Sequence, residues 1–417
     1  MTPSTAPISP VIGDAWHLTN FHIPQFEVRI EGASLPRNVL RDVRTISYTD
    51  SIDHIDGFTI EVNNWDPTRH AFKYVGSETE AQLQAGHEDA PRYRLFEPCG
   101  KEVEIRMGYH GDIQSMLRGN FTTMEPSFTP SAAPTLTVRG LNILHKLRTQ
   151  QNSEAWRDMK DSDIALAMRS RRGNAQFPIP VTISNEARDA EPEIPYIAER
   201  NQYDIDFLLR RARERGYVVY LLPASRRDPQ GSLYFGPRDT AHPGGTALDI
   251  RTYELAWGKT LIEFKPTLTT ANQVRSVRLD GWNRRTRHVI THTATFTDAR
   301  IRCNRDLHRI LDQCDPREEI VVNEPVSTVI EARRRAEAIL DNMQHNFVKC
   351  QAKTIGLPDL RAGMQVIISG VGSRFSGRYF ITESTHTIDD NGYLTSFKAQ
   401  RDNPDNLRTS TSGGGAQ

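Results

Sequence analysis

Apolar and polar residues alternate along the first third of the chain, in runs at 26–30, 57–62 and 101–107 separated by glycine and proline. Successive side chains of a strand point to opposite faces, so this period predicts half-buried strands and a first β domain over 20–150. Residues 76–91 break the pattern with a polar, acidic stretch, as a surface loop between strands would. At 135–147 a strand turns at Gly140 into a short helix. The period then changes: 162–168 gives a short amphipathic helix, and 196–220 carries the strongest local signal of the chain. There Asn201 is placed to cap, Asp204 stands three residues on as in a capping box, and Asp206 keeps negative charge in the first turn. Gly216 supplies the stop, and Arg210, Arg211, Arg213 and Arg215 crowd the last turns, so the charge order opposes the helix dipole. Tyr203, Phe207, Leu208 and Ala212 form the apolar stripe, and 217–220 follows as a strand.

Residues 217–222 and 232–235 flank the turn-rich segment 226–231, which predicts an antiparallel hairpin. The glycine- and proline-rich stretch 241–246 is the expected linker. Alternation returns at 260–265, 273–279 and 287–295. One further helix interrupts it: Thr328 and Glu331 form a capping box, while Ala332, Ala336, Ile339, Leu340 and Met343 recur at helical spacing, with Arg333, Arg334 and Arg335 mostly outward. Such a helix must pack on a sheet. Closing strands are expected at 364–369, 378–385 and 393–400, the last two joined through Asn391-Gly392, a hairpin signal. The β, helical, β order is that of a duplicated barrel type, although no residue-by-residue repeat is visible. The division reads 1–19 as an N-terminal arm, 20–150 as the first β-barrel domain, 151–245 as a helix and hairpin domain, 246–403 as a second β-barrel domain with one helix, and 404–417 as a flexible tail.

At 417 residues the chain has room for two or three domains, and 52 basic residues balance 52 acidic ones, so no global field selects nucleic acid or an anionic membrane. Cys99, Cys303, Cys314 and Cys350 lack a C-x-x-C pair, which disfavours zinc and a disulfide framework and leaves buried free thiols. The N-terminus carries no secretory signal and nothing approaches a membrane span, so no membrane insertion is expected. The run Gly370 to Gly377 lacks the lysine of a phosphate loop and any following helix, and reads as a glycine-rich hairpin. His288 and His292 share a strand face without an acidic or cysteine ligand beside them. Asn120 begins a sequon that is incidental here, and the acid pairs Glu318-Glu319 and Asp389-Asp390 sit in polar turns. The chain is expected to be no enzyme and to need no cofactor and no metal.

Several segments together resemble the phage late control D and VgrG-like hub family of contractile tails. Gln202, Tyr203, Asp206, Phe207, Leu208, Arg210, Glu214 and Gly216 follow its helix block. The segment 274–283, with Gly281 and Trp282, resembles its "G-W-D" strand with Asn283 for the usual Asp. Segments 357–366 and 376–386, with Gly363, Gly377, Tyr379 and His386, resemble its closing pattern, and Asn142 replaces an Asp in the element closing the first barrel. The resemblance implies an α+β, mainly β fold of two tube-protein-like β barrels with a helical and hairpin insertion between them. It further implies a homotrimer that adapts a sixfold tail tube, or its initiator protein, to a separate threefold spike, surrounded by baseplate wedge proteins and passing DNA or effector. Family members usually continue into a spike, whereas this chain stops. Made in the bacterial cytoplasm, it would be built into a phage tail or injection particle. The rival expectations are a tail-associated cell-wall hydrolase and a carbohydrate-binding β module.

A basic stretch containing Arg284, Arg285 and Arg287 and an early acidic one containing Asp50, Asp53, Asp56, Glu61 and Asp66 read either as two solvated faces or as charges that meet between subunits. Complementary charge of that kind fixes register more than affinity.

Overall fold

The computed structural model describes residues 23–401 apart from 131, 170, 172–178, 223–230, 239–252, 284–285, 296–308, 323–325 and 327. The expected arm, linker and tail, most of the turn at 226–231, Cys303, Arg284 and Arg285 lie outside the described residues.

The period-two runs of the first third form β1 (Pro24–Ile30), β2 (Ala33–Ser34), β3 (Val43–Ser51), β4 (Gly57–Asn63), β7 (Glu102–Tyr109), β8 (Asp112–Ser127) and β9 (Thr135–Asn142), with a separate two-residue pair of β5 (Trp65–Asp66) and β6 (Ala71–Phe72). They lie side by side in the order β3-β4-β9-β8-β7-β1-β2. Short helices α1 (Arg37–Leu40), α2 (Glu80–Leu83) and α3 (Ala90–Tyr93) lie between strands. Val28, Ile46, Ile60, Val103, Ile105 and Val138 point to one side and are fully buried, which is where the alternation puts them.

The helical unit contains β10 (Gln151–Trp156), α4 (Asp161–Arg169), β11 (Val181–Ile183), α5 (Asn185–Ala190), β12 (Ile197–Tyr203), α6 (Asp204–Arg215), β13 (Tyr217–Leu222) and β14 (Ser232–Pro237). Helix α6 differs from expectation at its start. Asn201 has φ +46° and belongs to β12, so Tyr203 is the N-cap, without a side-chain bond, and Asp204 and Asp206 both fall in the first turn. Its end is as expected: Gly216 takes the left-handed conformation at φ +73°, which costs a residue without Cβ little. Phe207, Leu208 and Ala212 are buried against Leu233 and Phe235 of the β13–β14 hairpin.

The last third contains β15 (Tyr253–Ala256), β16 (Leu261–Leu268), β17 (Ser276–Asn283), β18 (His288–Thr295), β19 (Glu318–Val321), α7 (Val329–His345), β20 (Val348–Ile355), β21 (Gln365–Ser369), β22 (Gly377–Asp389) and β23 (Gly392–Arg401). Strand texture alone gathers all of 246–403 into one module, but the pairings distribute it over two sheets. Strands β17, β18 and β19 form their own sheet, with Ala332, Ala336 and Leu340 of α7 packed on Val277, Leu279 and Ile290. The other strands run β16-β20-β23-β22-β21-β15, and a bridge between Trp257 and Leu261 brings the two ends of that series together. Thr328 caps α7 as the sequence predicts, its side chain accepting from Glu331 N at 3.1 Å.

Strand β22 belongs to both β modules. Residues 377–380 pair with β21, and residues 383–388 pair antiparallel with β3. The two modules are therefore one thirteen-stranded sheet, and Ile388 and Tyr393 enter the core of the first module. The mainly β, α+β class stands as expected from the sequence.

Candidate functional surfaces and the buried seam

Where β3 meets β22, the inward side of the sheet is polar. Asp50 accepts from Ser384 Oγ at 2.5 Å and from Ala362 N at 3.2 Å. Arg361, at the end of the loop before β21, donates to Met116 O at 2.9 Å, Ser115 O at 3.1 Å and Tyr48 OH at 3.2 Å, and its guanidinium lies 5.0 Å from the Tyr48 ring. It thereby ties the second module to β3 and β8 of the first. His386 is fully buried, and burial followed by the nearby Arg361 charge pushes its pKa down to about 3. A neutral imidazole has one N–H, and Ser384 Oγ already donates to Asp50. His386 Nε2–H is thus left to donate to Ser384 Oγ at 3.2 Å, while the single lone pair of Nδ1 faces two hydroxyls, Tyr393 OH at 3.0 Å and Thr395 Oγ1 at 3.1 Å.

Serine, histidine and aspartate meet here, but not as a nucleophile site. The carboxylate holds the hydroxyl rather than the imidazole, and both Ser384 and His386 are at 0% exposure, out of reach of substrate. The group is structural.

Asp56 sits beside it. Its carboxylate accepts from Asn142 Nδ2 at 2.7 Å and Ser51 N at 3.1 Å, and burial together with the charge of Asp50 pushes its pKa up to about 8. Asn142 Oδ1 accepts in turn from Leu144 N at 2.9 Å. An aspartate at 142 would face Asp56 with a second buried carboxylate, so an amide suits the site. A carboxyl with a raised folded-state pKa favours folding fully below its unfolded pKa of about 4, and that contribution is lost as pH rises towards 8. His386 has the opposite slope, confined to pH below about 6.5. Between pH 6.5 and 8, wild-type stability should therefore fall by about 2 kcal/mol from Asp56. Asp56→Asn should flatten that slope and raise the melting temperature at pH 8. Melting curves of both proteins at several pH values check this; parallel slopes would refute it.

Away from the cores the shared sheet presents a polar face. Glu263, Lys353, Ser396, Thr385 and Thr49 are successive cross-strand neighbours from β16 to β3, and Thr49 Oγ1 lies 3.0 Å from Thr385 Oγ1 across the seam. Four carboxylates on this face have cationic partners: Glu383 with Lys398 at 2.9 Å, Glu27 with Arg106 at 2.9 Å, Glu61 with Arg44 at 3.0 Å and Glu125 with Arg139 at 3.0 Å. Exposed pairs stabilise little, but they leave the face without a strong field of one sign.

Towards the helical unit a cleft of about 750 Å³ opens between α6, α7 and the polar side of β16 and β20. Arg213, Arg238, Lys265, Lys349 and Lys398 line it against Asp53, Asp341 and Glu383, over an apolar wall that includes Leu209, Ala212 and Val218.

The residues singled out from the sequence fall in different places. Tyr203 caps α6, Asp206 accepts from Arg148 at 2.7 Å, and Phe207 and Leu208 are core. Gly281 allows close approach, since a Cβ there would lie 2.1 Å from Val326 Cγ2, and Gly363 at φ +87° would put one 2.6 Å from the Tyr220 ring. Gly377 is buried at φ +144°, and Tyr379 is buried with its hydroxyl donating to Phe375 O at 2.6 Å. Trp282 is 54% exposed, opposite exposed Val289. Asn283, standing for an Asp, accepts from Thr286 N at 3.0 Å in the β17–β18 turn.

Of the charges expected to meet between copies, Arg287 and Asp53 are exposed. Asp56 and Asp50 are not: at 5% and 6% exposure they belong to the seam, which corrects their reading as solvated acids. The expectation of buried thiols holds for Cys350, whose pKa burial pushes up to about 12, whereas Cys99 and Cys314 are exposed. Among the described residues no group of three or more His, Cys, Asp or Glu is placed to hold a metal, and no helix is long and apolar enough to cross a membrane. Sequence reasoning missed Arg361, Tyr48, Ser384 and Thr395. The signal available was parity, because Asp50 shares the inward phase of Ile46 and Tyr48.

The family model described as Alg8 N-terminal domain matches residues 21–390. No curated protein matches in sequence. Among solved structures the chain resembles the 43 kDa tail protein of prophage MuSo2 from Shewanella oneidensis, at 15% identity and TM-score 0.62 over 91% of this chain and 98% of that one. It likewise resembles the tail protein from Neisseria meningitidis MC58, at 12% identity and TM-score 0.62 over 92% and 98%. The E. coli c3393 protein, described as a component of the type VI secretion system with similarity to T4 tail proteins, superposes with TM-score 0.51 at 12% identity over 89% and 76%. The fold is shared with these proteins.

Proposed function

This chain belongs to the Alg8 N-terminal domain family, and on its fold we propose that it is the structural hub of a contractile tail or injection-system baseplate, of the late control D and VgrG-like kind. Three copies surround an axis and present six β modules to a sixfold tail-tube or tube-initiator protein, with a separate spike below and baseplate wedge proteins around. Its work is symmetry matching, not catalysis. The observation that carries this reading is the single sheet through both modules, since β22 pairs with β21 in one and β3 in the other. Two modules so joined keep a fixed relative angle, which an adaptor between threefold and sixfold rings requires. The likeness to proteins that are themselves named tail proteins supports it at the level of fold. The charge-matched polar face suits passage of DNA or effector without retention. In this reading 20–150 and 246–403 are the two β domains, with 151–245 between them, and Arg284, Arg285, Arg287 and Asp53 stand at the boundary between copies. The chain is incorporated into the particle after synthesis in the bacterial cytoplasm.

Mass photometry of the purified chain, alone and with a candidate spike protein, tests this. A threefold species is expected; a monomer that releases fragments from peptidoglycan would replace the hub with the hydrolase reading, and a monomer that binds glycans would favour the carbohydrate-binding one.

A further inference from the structure

We propose that the cationic cleft between α6, α7 and the polar side of β16 and β20 receives the acidic loop at 76–91 from a second copy of the chain, joining copies head to tail. The inference rests on the trimeric reading and assigns its surfaces. Five cations, Arg213, Arg238, Lys265, Lys349 and Lys398, line the cleft against three acids, of which Glu383 is matched by Lys398 at 2.9 Å while Asp53 and Asp341 remain beside the cations, so the balance of the lining is positive. Arg213 and Lys349 are exposed, and among the described residues neither has an ion pair, so the cleft offers positive charge to a partner.

The loop between β6 and β7 is the complement. Residues 76–91 contain Glu78, Glu80, Glu88 and Asp89 and no lysine or arginine. Glu80 and Glu88 are exposed, and Leu83 beside them is 39% exposed, an apolar group for the wall formed by Leu209, Ala212 and Val218. The loop is shaped in advance. Thr79 and Gln82 cap α2 reciprocally, and Gln82 donates to Asp89 at 3.1 Å, so little freedom is lost on docking. An apolar anchor ringed by charge, entering a cleft of opposite sign, provides both contact and register. Because loop and cleft are different patches, the contact is heterologous and closes a ring when the rotation per copy permits.

The test is a charge exchange read by mass photometry across protein concentration, with thermal melting to check the fold. Arg213→Glu with Lys349→Glu in the cleft, or Glu80→Lys with Glu88→Lys in the loop, should each weaken assembly at least about tenfold, and the four-fold variant should recover most of the loss. Raised salt should weaken the wild type in the same direction. A wild-type oligomer indifferent to both one-sided reversals overturns the inference and leaves the trimer standing. Weakening by the cleft variant without recovery in the combined variant overturns the loop as occupant. A wild type that stays monomeric overturns the hub reading and this contact together.

Discussion

Arg361→Ala is expected to destabilise the protein by about 3–5 kcal/mol, the cost of removing one partner from a buried charged group. Arg361 is 8% exposed, and its guanidinium donates to two backbone carbonyls of β8 and to Tyr48 OH. Without it Ser115 O and Met116 O lose the Arg361 donors, and Asp50 and Asp56 lose a cation whose charge favours their ionised forms. Arg361→Lys should recover only part of the loss, because an ammonium cannot fork between carbonyls and stack on Tyr48. Adding Asp50→Asn to Arg361→Ala should restore some stability by removing an unpaired buried charge. Urea unfolding of the three variants measures this. A loss below about 1 kcal/mol for Arg361→Ala would mean that backbone pairing alone holds the modules together.

Phe207→Ala should cost a similar amount, about 3–5 kcal/mol, through lost burial and the cavity left behind. The ring is fully buried among Leu208, Leu233 and Phe235, and Arg210 lies 5.4 Å from its centroid. Phe207→Leu should lose less, since most of the volume remains. Hydrogen exchange should locate the effect in α6 and the β13–β14 hairpin rather than in the shared sheet. Protection that falls equally in β22 and β3 would contradict that placement.

Legibility followed the distance over which each feature is specified. The stop of α6 at Gly216, the Thr328 cap and the Asp389–Gly392 hairpin are set by residues within a few positions of one another. The α6 start was misplaced because a polar residue at 201 satisfies a capping pattern that β12, running to Tyr203, pre-empts. Strands β17 and β18 alternate like their neighbours, and period two carries no record of which sheet a strand will join; the residue pattern of β19 does not alternate, and Glu318 and Glu319, expected in a polar turn, open that strand. The seam depends on pairing over more than three hundred residues, between Asp50 and Ser384, so no local window contained it. Asp50 and Asp56 were grouped with exposed acids by composition, although Asp50 lies in phase with buried Ile46 and Tyr48.

The double membership of β22 also bears on synthesis. By the time β9 has left the ribosome the first module has nearly all its strands, yet β3 has an open edge and the core lacks Ile388 and Tyr393. Completion waits for the final hairpin of the chain, some two hundred and fifty residues later at translation rates of about 5–20 residues per second. Through that interval a nascent edge strand is open to wrong partners. A premature stop anywhere before β22 would therefore yield not one finished module and one missing, but two unfinished ones.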